Sequence, residues 1–407
     1  MTDFVLLGSA GDFIKTLAVL ALTYALSVTM AHRLKIAQGW ATAYTTCHTA
    51  FSMVYVWWSL YNVADATFYF QQASLDTEGL KPGTSFILFA TGFLTDALGF
   101  NYLNCFLAYN VIGVAGLLLF AAALKRATGD SGRTIGAICI LLPLLPGLNF
   151  WTGMLGKDAI SFGSVGLLCW TLAQPILSKR NLLLAIILMA LVRPHIAIVM
   201  AMAFIISEFT GAKTSLPVKI GVIVASGLAL WFAYPLVASY VGLSTDSGSM
   251  SFAEYVEKRQ GYNLEGGSSV DISKLPLPLQ VFGYGFQPLF FDAHNAMALI
   301  SSVENLILLV LILVPGLRLF RFRSNMALPH IILGMAYIAA TWVILASTTA
   351  NLGIAVRQKW MFMPVLLMLV LAMRTRALKS AGRMSFPMRG SAPSHPGFRQ
   401  PRPRHLN

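Results

Sequence analysis

Apolar residues along this chain gather into runs of about 20, the length that crosses a hydrocarbon core about 30 Å thick as a helix. The runs predict spans over approximately 13–31, 41–62, 104–124, 134–150, 159–177, 218–241, 296–317, 326–348 and 360–373. Two long segments between them, 63–103 and 242–295, carry most of the acidic residues and read as loops. The pattern is that of an all-α, polytopic membrane helix bundle with about nine full spans. The first run begins only after Asp12 and has no basic leader, so it reads as a membrane helix rather than a cleaved signal.

The stretch 181–212 breaks the pattern. It is apolar but interrupted by Arg193-Pro194-His195, and a proline removes a helix hydrogen bond and kinks or ends the helix. Each half is about 12–14 residues, roughly 20 Å at 1.5 Å per residue, too short to cross alone. Two readings follow: a re-entrant hairpin of two short helices with Arg193 and His195 at its tip, or one kinked span.

Charge fixes the sidedness. Arg33/Lys35, Lys125/Arg126/Arg133, Lys179/Arg180, Lys213/Lys219 and Arg318/Arg321/Arg323 lie in short connections, which the positive-inside rule assigns to the cytoplasm. The hairpin satisfies that rule on both sides of 181–212; a single kinked span violates it once. The N-terminus and the two long loops then face outward.

Composition agrees with the pattern: 57% of the 407 residues are hydrophobic and 11% are charged, against about 25% charged in a soluble domain. The net charge of +13 is uneven, because no Asp or Glu follows Glu304 while 13 Lys and Arg do. Flanking spans and filling a tail, this excess fits cytoplasmic retention and anionic lipid rather than nucleic acid. Residues 1–373 read as one transmembrane domain, and 374–407 as a basic, disordered cytoplasmic tail. Cys47, Cys105, Cys139 and Cys169 have no metal-ligand spacing and read as buried small hydrophobes.

Candidate chemistry converges on the outer side. Asp65 and Tyr69 follow the second span, Lys157 and Asp158 follow the fourth, Arg193 and His195 form the proposed tip, and Arg357 and Lys359 open the last span. Basic residues on the outer face need a reason, and an anionic ligand supplies one: arginine offers phosphate a bidentate fork, lysine a point charge. Each residue also has a plainer reading, as a helix-end acid, an interfacial ion pair or a proline kink. Gly156-Lys157-Asp158 is not a phosphate-binding P-loop, since Trp151 stands where its first glycine belongs and Asp158 replaces Ser/Thr. Glu304 lies inside its span, where an acid is either functional or paired with a neighbouring helix. Glu254, Glu257, Lys258, Arg259 and Tyr262, then Tyr284 and Phe286, combine polar groups with aromatic faces suited to sugar rings; an interfacial aromatic belt is the alternative.

Taken in order, Asp65/Tyr69, Phe150/Trp151/Gly156/Lys157/Asp158, Arg193/Pro194/His195, Ser302/Glu304/Asn305 and Arg357/Gln358/Lys359/Pro364 resemble the motifs of bacterial multi-span proteins of surface-polysaccharide assembly. The likeness is to GT-C-type glycosyltransferases and polysaccharide polymerases. It departs in two respects: the acidic loop follows the second span rather than the first, and no Asp-x-Asp or Glu-rich ligand motif exists. The resemblance implies a multi-pass protein of the bacterial inner (cytoplasmic) membrane that acts on a lipid-linked sugar, among membrane lipids and other polysaccharide-assembly proteins. It implies Asp65, or second Asp158, as catalytic base, with Tyr69, Lys157, Arg193, His195, Glu304, Arg357 and Lys359 binding substrate. No cofactor is expected; a divalent metal would have no ligand motif. A flippase for lipid-linked glycans would want the same cationic cavity without a base, and a non-catalytic scaffold of an export complex would want neither.

Overall fold

The computed structural model describes residues 6–75, 81–129, 132–210, 220, 275–293, 295–316, 326–349 and 351–383. All elements among them are helical: α1 (Ala10–Leu34), α2 (Gln38–Tyr61), α3 (Asp65–Gln71), α4 (Thr84–Gly92), α5 (Tyr102–Thr128), α6 (Arg133–Leu141), α7 (Pro146–Thr152) and α8 (Lys157–Leu172). Then follow α9 (Lys179–Val192), α10 (Pro194–Thr210), α11 (Leu277–Phe286), α12 (Ala296–Gly316), α13 (Leu328–Thr348), α14 (Leu352–Gln358) and α15 (Met363–Arg383).

Five segments are long and apolar enough to cross a membrane: α1, α5, the run Arg133–Thr152, the Ala296–Leu313 part of α12, and α13. A sixth consists of Leu352–Met361 and Met363–Met373, bent by 56°. The expected nine are not all visible, for specific reasons. The span at 218–241 lies outside the described residues, as do Lys213, Lys219, Arg318, Arg321 and Arg323. The α2 helix has 24 residues, but Thr45, Thr46, His48, Thr49 and Ser52 lower its hydropathy. The α8 helix stops at Leu172 after 16 residues. The expected 134–150 span is present within Arg133–Thr152, interrupted at Pro143 and Pro146, where the Asn149 side-chain amide donates to the carbonyls of Pro143 (2.9 Å) and Leu145 (2.8 Å). That bond supplies donors where proline removed them.

The charges sort to two poles. Lys125 Nζ donates to the Lys35 carbonyl (2.9 Å), and Arg126 lies 5.6 Å over the Trp170 ring. The ends of α1, α5 and α8 thus share one basic pole. At the opposite pole Thr16 donates to Asn104 (2.7 Å), joining the start of α1 to the start of α5.

At mid-bundle α5 and α8 run parallel in close contact through glycines. A Cβ on Gly116 would lie 2.9 Å from the Gly163 Cα, and one on Gly166 would strike the Gly116 carbonyl. Small residues let helix backbones approach where lipid gives no hydrophobic drive. The register this sets places Lys157 roughly 10 Å nearer the basic pole than Tyr102, at about 1.5 Å of rise per residue.

The α9–α10 pair doubles back at Arg193. Lys179, in the first turn of α9, meets Glu208 near the end of α10 at 3.4 Å and lies 5.7 Å over the Phe204 ring. One continuous helix would hold Lys179 and Glu208 about 40 Å apart, so the hairpin is the observed arrangement.

One expectation needs correction. The segment 63–103, expected as a loop, contains α3 and α4, which pack into the bundle and bury Ala66, Tyr69, Ile87, Thr91 and Gly92. Gly83 donates to the Leu191 carbonyl at 2.8 Å, and Thr91 bonds Tyr109 at 3.1 Å. These short helices satisfy their backbone internally and bring aromatic and β-branched residues against α5; α4 is apolar but too short to read as a span. The α15 helix runs to Arg383. Residues 384–407, and the segment 242–274 expected to face outward, lie outside the described residues.

Candidate functional site

Four segments deliver the polar groups to one place. The turn after α7 ends in Gly156 at φ 147°, a left-handed-side conformation natural to glycine, and a Cβ there would also lie 3.0 Å from the Tyr69 ring. It sets Lys157 and Asp158 in the first turn of α8, where an acid is favoured by the helix dipole. Pro194 opens α10, and the residue before it leaves the helical region, so Arg193 sits at the hairpin tip with φ −144° and ψ 72°. Arg357 lies in the last turn of α14 and Asp65 in the first turn of α3.

Asp158 is the hub. One carboxylate oxygen accepts from Arg193 Nη2 at 2.8 Å, and the other accepts from Arg357 Nε. Arg357 Nη1 donates onward to Asp65 at 2.6 Å. Side-chain exposure grades along this chain: Asp158 5%, Arg193 8%, Arg357 16% and Asp65 49%. Asp65 is therefore the acid that faces out, and Asp158 the acid that organises two cations from below. Burial pushes the Asp158 carboxyl up, but the adjacent Arg357 and Arg193 charges outweigh it and hold it below the usual carboxylate range. A carboxylate so held is a weak base.

Lys157 donates to Thr84 on α4 at 2.8 Å. Burial first, and then the nearby Arg193 charge, lower its ammonium to about 8. Tyr69 is buried beside these groups, and burial together with the Asp65 charge raises its phenol well above the usual range. Tyr55 forms the floor, its ring centroid 4.7 Å from Phe150 and 5.9 Å from Trp151. Three cations thus converge with two carboxylates in a cluster set roughly 10 Å inside the end of α5. Such an arrangement suits an anion lying at a membrane interface, next to one exposed acid.

The structure therefore brings together Asp65, Tyr69, Lys157, Asp158, Arg193 and Arg357. His195 is half-buried in the first turn of α10. Glu304 and Lys359 form a separate, almost fully buried ion pair (3.5 Å; 2% and 0% exposed). Tyr284 and Phe286 are buried rather than offered to a sugar: the Tyr284 hydroxyl donates to Gln358 at 3.2 Å, and Phe286 packs 5.8 Å from Trp342. Glu254, Glu257, Lys258, Arg259 and Tyr262 lie outside the described residues. Thr84 and Tyr55 were not singled out from the sequence. The only signal for Thr84 was its place just after Lys81-Pro82-Gly83, a turn that could start a helix. Among the described residues no three His, Cys, Asp or Glu side chains group as metal ligands. Comparison with family models, with curated proteins and with solved structures finds no match to this chain.

Proposed function

We propose that this protein transfers or polymerises sugars from a polyprenyl-(pyro)phosphate-linked donor at the outer face of a bacterial cytoplasmic membrane, during surface-polysaccharide assembly. The observation that carries the reading is the cluster in which Asp158 holds Arg193 and Arg357, Arg357 reaches on to the half-exposed Asp65, and Lys157 adds a third cation close by. The lipid tail lies among the helices while its phosphate enters the recess. Asp65 takes the proton of the acceptor hydroxyl, whose oxygen bonds to the anomeric carbon. The bond from that carbon to the phosphate oxygen breaks, and the phosphate leaves with the electron pair. A positioned base of this kind contributes about 10²–10⁴-fold. Arg357, Arg193 and Lys157 stabilise the charge that develops on the leaving phosphate, and Asp158 holds the two guanidiniums in place.

The test is Asp65→Asn, assayed for product and for binding of a lipid-linked sugar donor. The proposal expects product to be lost and donor binding retained. Full product formation by a well-folded Asp65→Asn protein would remove the base and favour transport of the same lipid-linked glycan.

A further inference from the structure

Two charged residues the site does not use sit behind it. Glu304, on α12, accepts from the Gly147 backbone N–H at 2.7 Å through Oε2 and faces Lys359 Nζ at 3.5 Å through Oε1. Lys359 also donates to Asn305 Oδ1, while Asn305 Nδ2 donates to the Pro288 carbonyl at 2.9 Å. A Cβ on Gly147 would lie 2.6 Å from Glu304 Oε1, so the glycine leaves room for the carboxylate. Glu304 Oε1 has no hydrogen bond, which leaves the ammonium as the charge that balances it.

The connectivity gives this pair a use. Gly147 belongs to α7, which leads directly into the turn carrying Lys157 and Asp158. Lys359 stands two residues after Arg357, in the 3₁₀ turn that closes α14. We infer that Glu304 and Lys359 are positioning residues: a single buried carboxylate ties the segment that delivers Asp158 to the segment that delivers Arg357, and so sets the spacing of the anion recess. Neither residue touches substrate, because both are sealed inside the bundle. The inference rests on the site proposed above, and it replaces the expectation that Glu304 and Lys359 bind substrate.

Charge compensation separates this role from direct contact. Glu304→Gln keeps an acceptor for Gly147 but strands the Lys359 ammonium, and Lys359→Met strands the Glu304 carboxylate. Each leaves a buried unpaired charge, whereas the double variant leaves none. The full-length protein, purified in detergent, is followed by its melting temperature and by its affinity for inorganic pyrophosphate. Each single variant is expected to melt lower by roughly 5 °C or more and to bind pyrophosphate roughly tenfold or more weakly. The double variant is expected to recover both. A double variant that melts like the wild type yet binds as poorly as the singles would mean that these residues contact the ligand, overturning the inference. Folded single variants with wild-type affinity would overturn it as well. Should the singles fail to fold, the double variant decides alone. Absence of pyrophosphate binding by the wild-type protein is a different result: it counts against the anion recess itself, whatever the melting temperatures show.

Discussion

The two acids of the recess look interchangeable in sequence and should behave oppositely when neutralised. Asp158→Asn removes the one carboxylate that faces both Arg193 and Arg357 at 5% exposure. Removing one partner of a buried pair typically costs about 3–5 kcal/mol, because an uncompensated charge is left behind. Two guanidiniums are stranded here, although Arg357, still paired with Asp65, is partly relieved, so a loss near the middle of that range, about 4 kcal/mol, is expected. Asp65→Asn breaks a pair whose carboxylate is half-exposed, and such pairs contribute about 0–1 kcal/mol. Thermal unfolding of both variants in the same detergent, read by intrinsic fluorescence, should therefore rank Asp158→Asn far below Asp65→Asn. Activity should fall in both, but in Asp65→Asn without loss of folded protein. Equal melting temperatures for the two variants would refute the view that Asp158 organises the site from beneath.

Other outcomes follow from the same geometry. Gly116→Leu should sharply reduce folded protein, since even a Cβ there lies 2.9 Å from the Gly163 Cα, and overpacking costs about 1–3 kcal/mol per misfit side chain; yield on size-exclusion chromatography measures it. Because the Lys157 ammonium is lowered to about 8, the recess keeps its third cation below that pH and loses it above. Pyrophosphate affinity should therefore fall between pH 7 and 9, and Lys157→Met should abolish that dependence. Cysteines placed at 179 and 208 should label from the same side of the membrane, as their 3.4 Å contact requires; opposite labelling would return α9 and α10 to a single kinked span.

Much of the architecture was legible because membrane helices advertise themselves by apolar length, as α1, α5 and α13 do. The Arg193-Pro194 break narrowed 181–212 to a hairpin or one kinked span, and the Lys179–Glu208 contact decides for the hairpin. What escaped was the segment 63–103, whose apolar stretch over Thr84–Ala97 is shorter than a span. Its helices α3 and α4 are short, and their burial depends on Tyr69 meeting Gly156 and on Thr91 meeting Tyr109, contacts that no local pattern encodes. The nine-span expectation suffered from the opposite problem. The α2 helix carries buried polar partners, with His48 held between Asn110 (2.6 Å) and Thr152 (3.0 Å), and α8 ends early. For the site, residue types and sidedness gathered Asp65, Lys157, Asp158, Arg193 and Arg357 from the sequence. Their division of labour was not legible, because it depends on which carboxylate is buried between two arginines. Glu304 and Lys359 were legible as unusual and not as partners of each other, since 55 positions separate them in the chain.

The central claim is chemical turnover at a cationic recess, and one reconstitution tests it most directly. Purified protein in liposomes is supplied with a polyprenyl-diphosphate-linked glycan and an acceptor, and release of the lipid (pyro)phosphate is measured for the wild type, Arg357→Lys and Arg357→Ala. Loss of a charge-assisted hydrogen bond to phosphate costs about 1.5–3 kcal/mol, or roughly tenfold in rate at about 1.36 kcal/mol per tenfold. A lysine cannot reproduce the bidentate fork. The account predicts release by the wild type, a loss of roughly tenfold or more in Arg357→Ala, and most of that loss in Arg357→Lys. Wild-type protein that moves the glycan between leaflets without releasing lipid phosphate, or full release by Arg357→Ala, would contradict it.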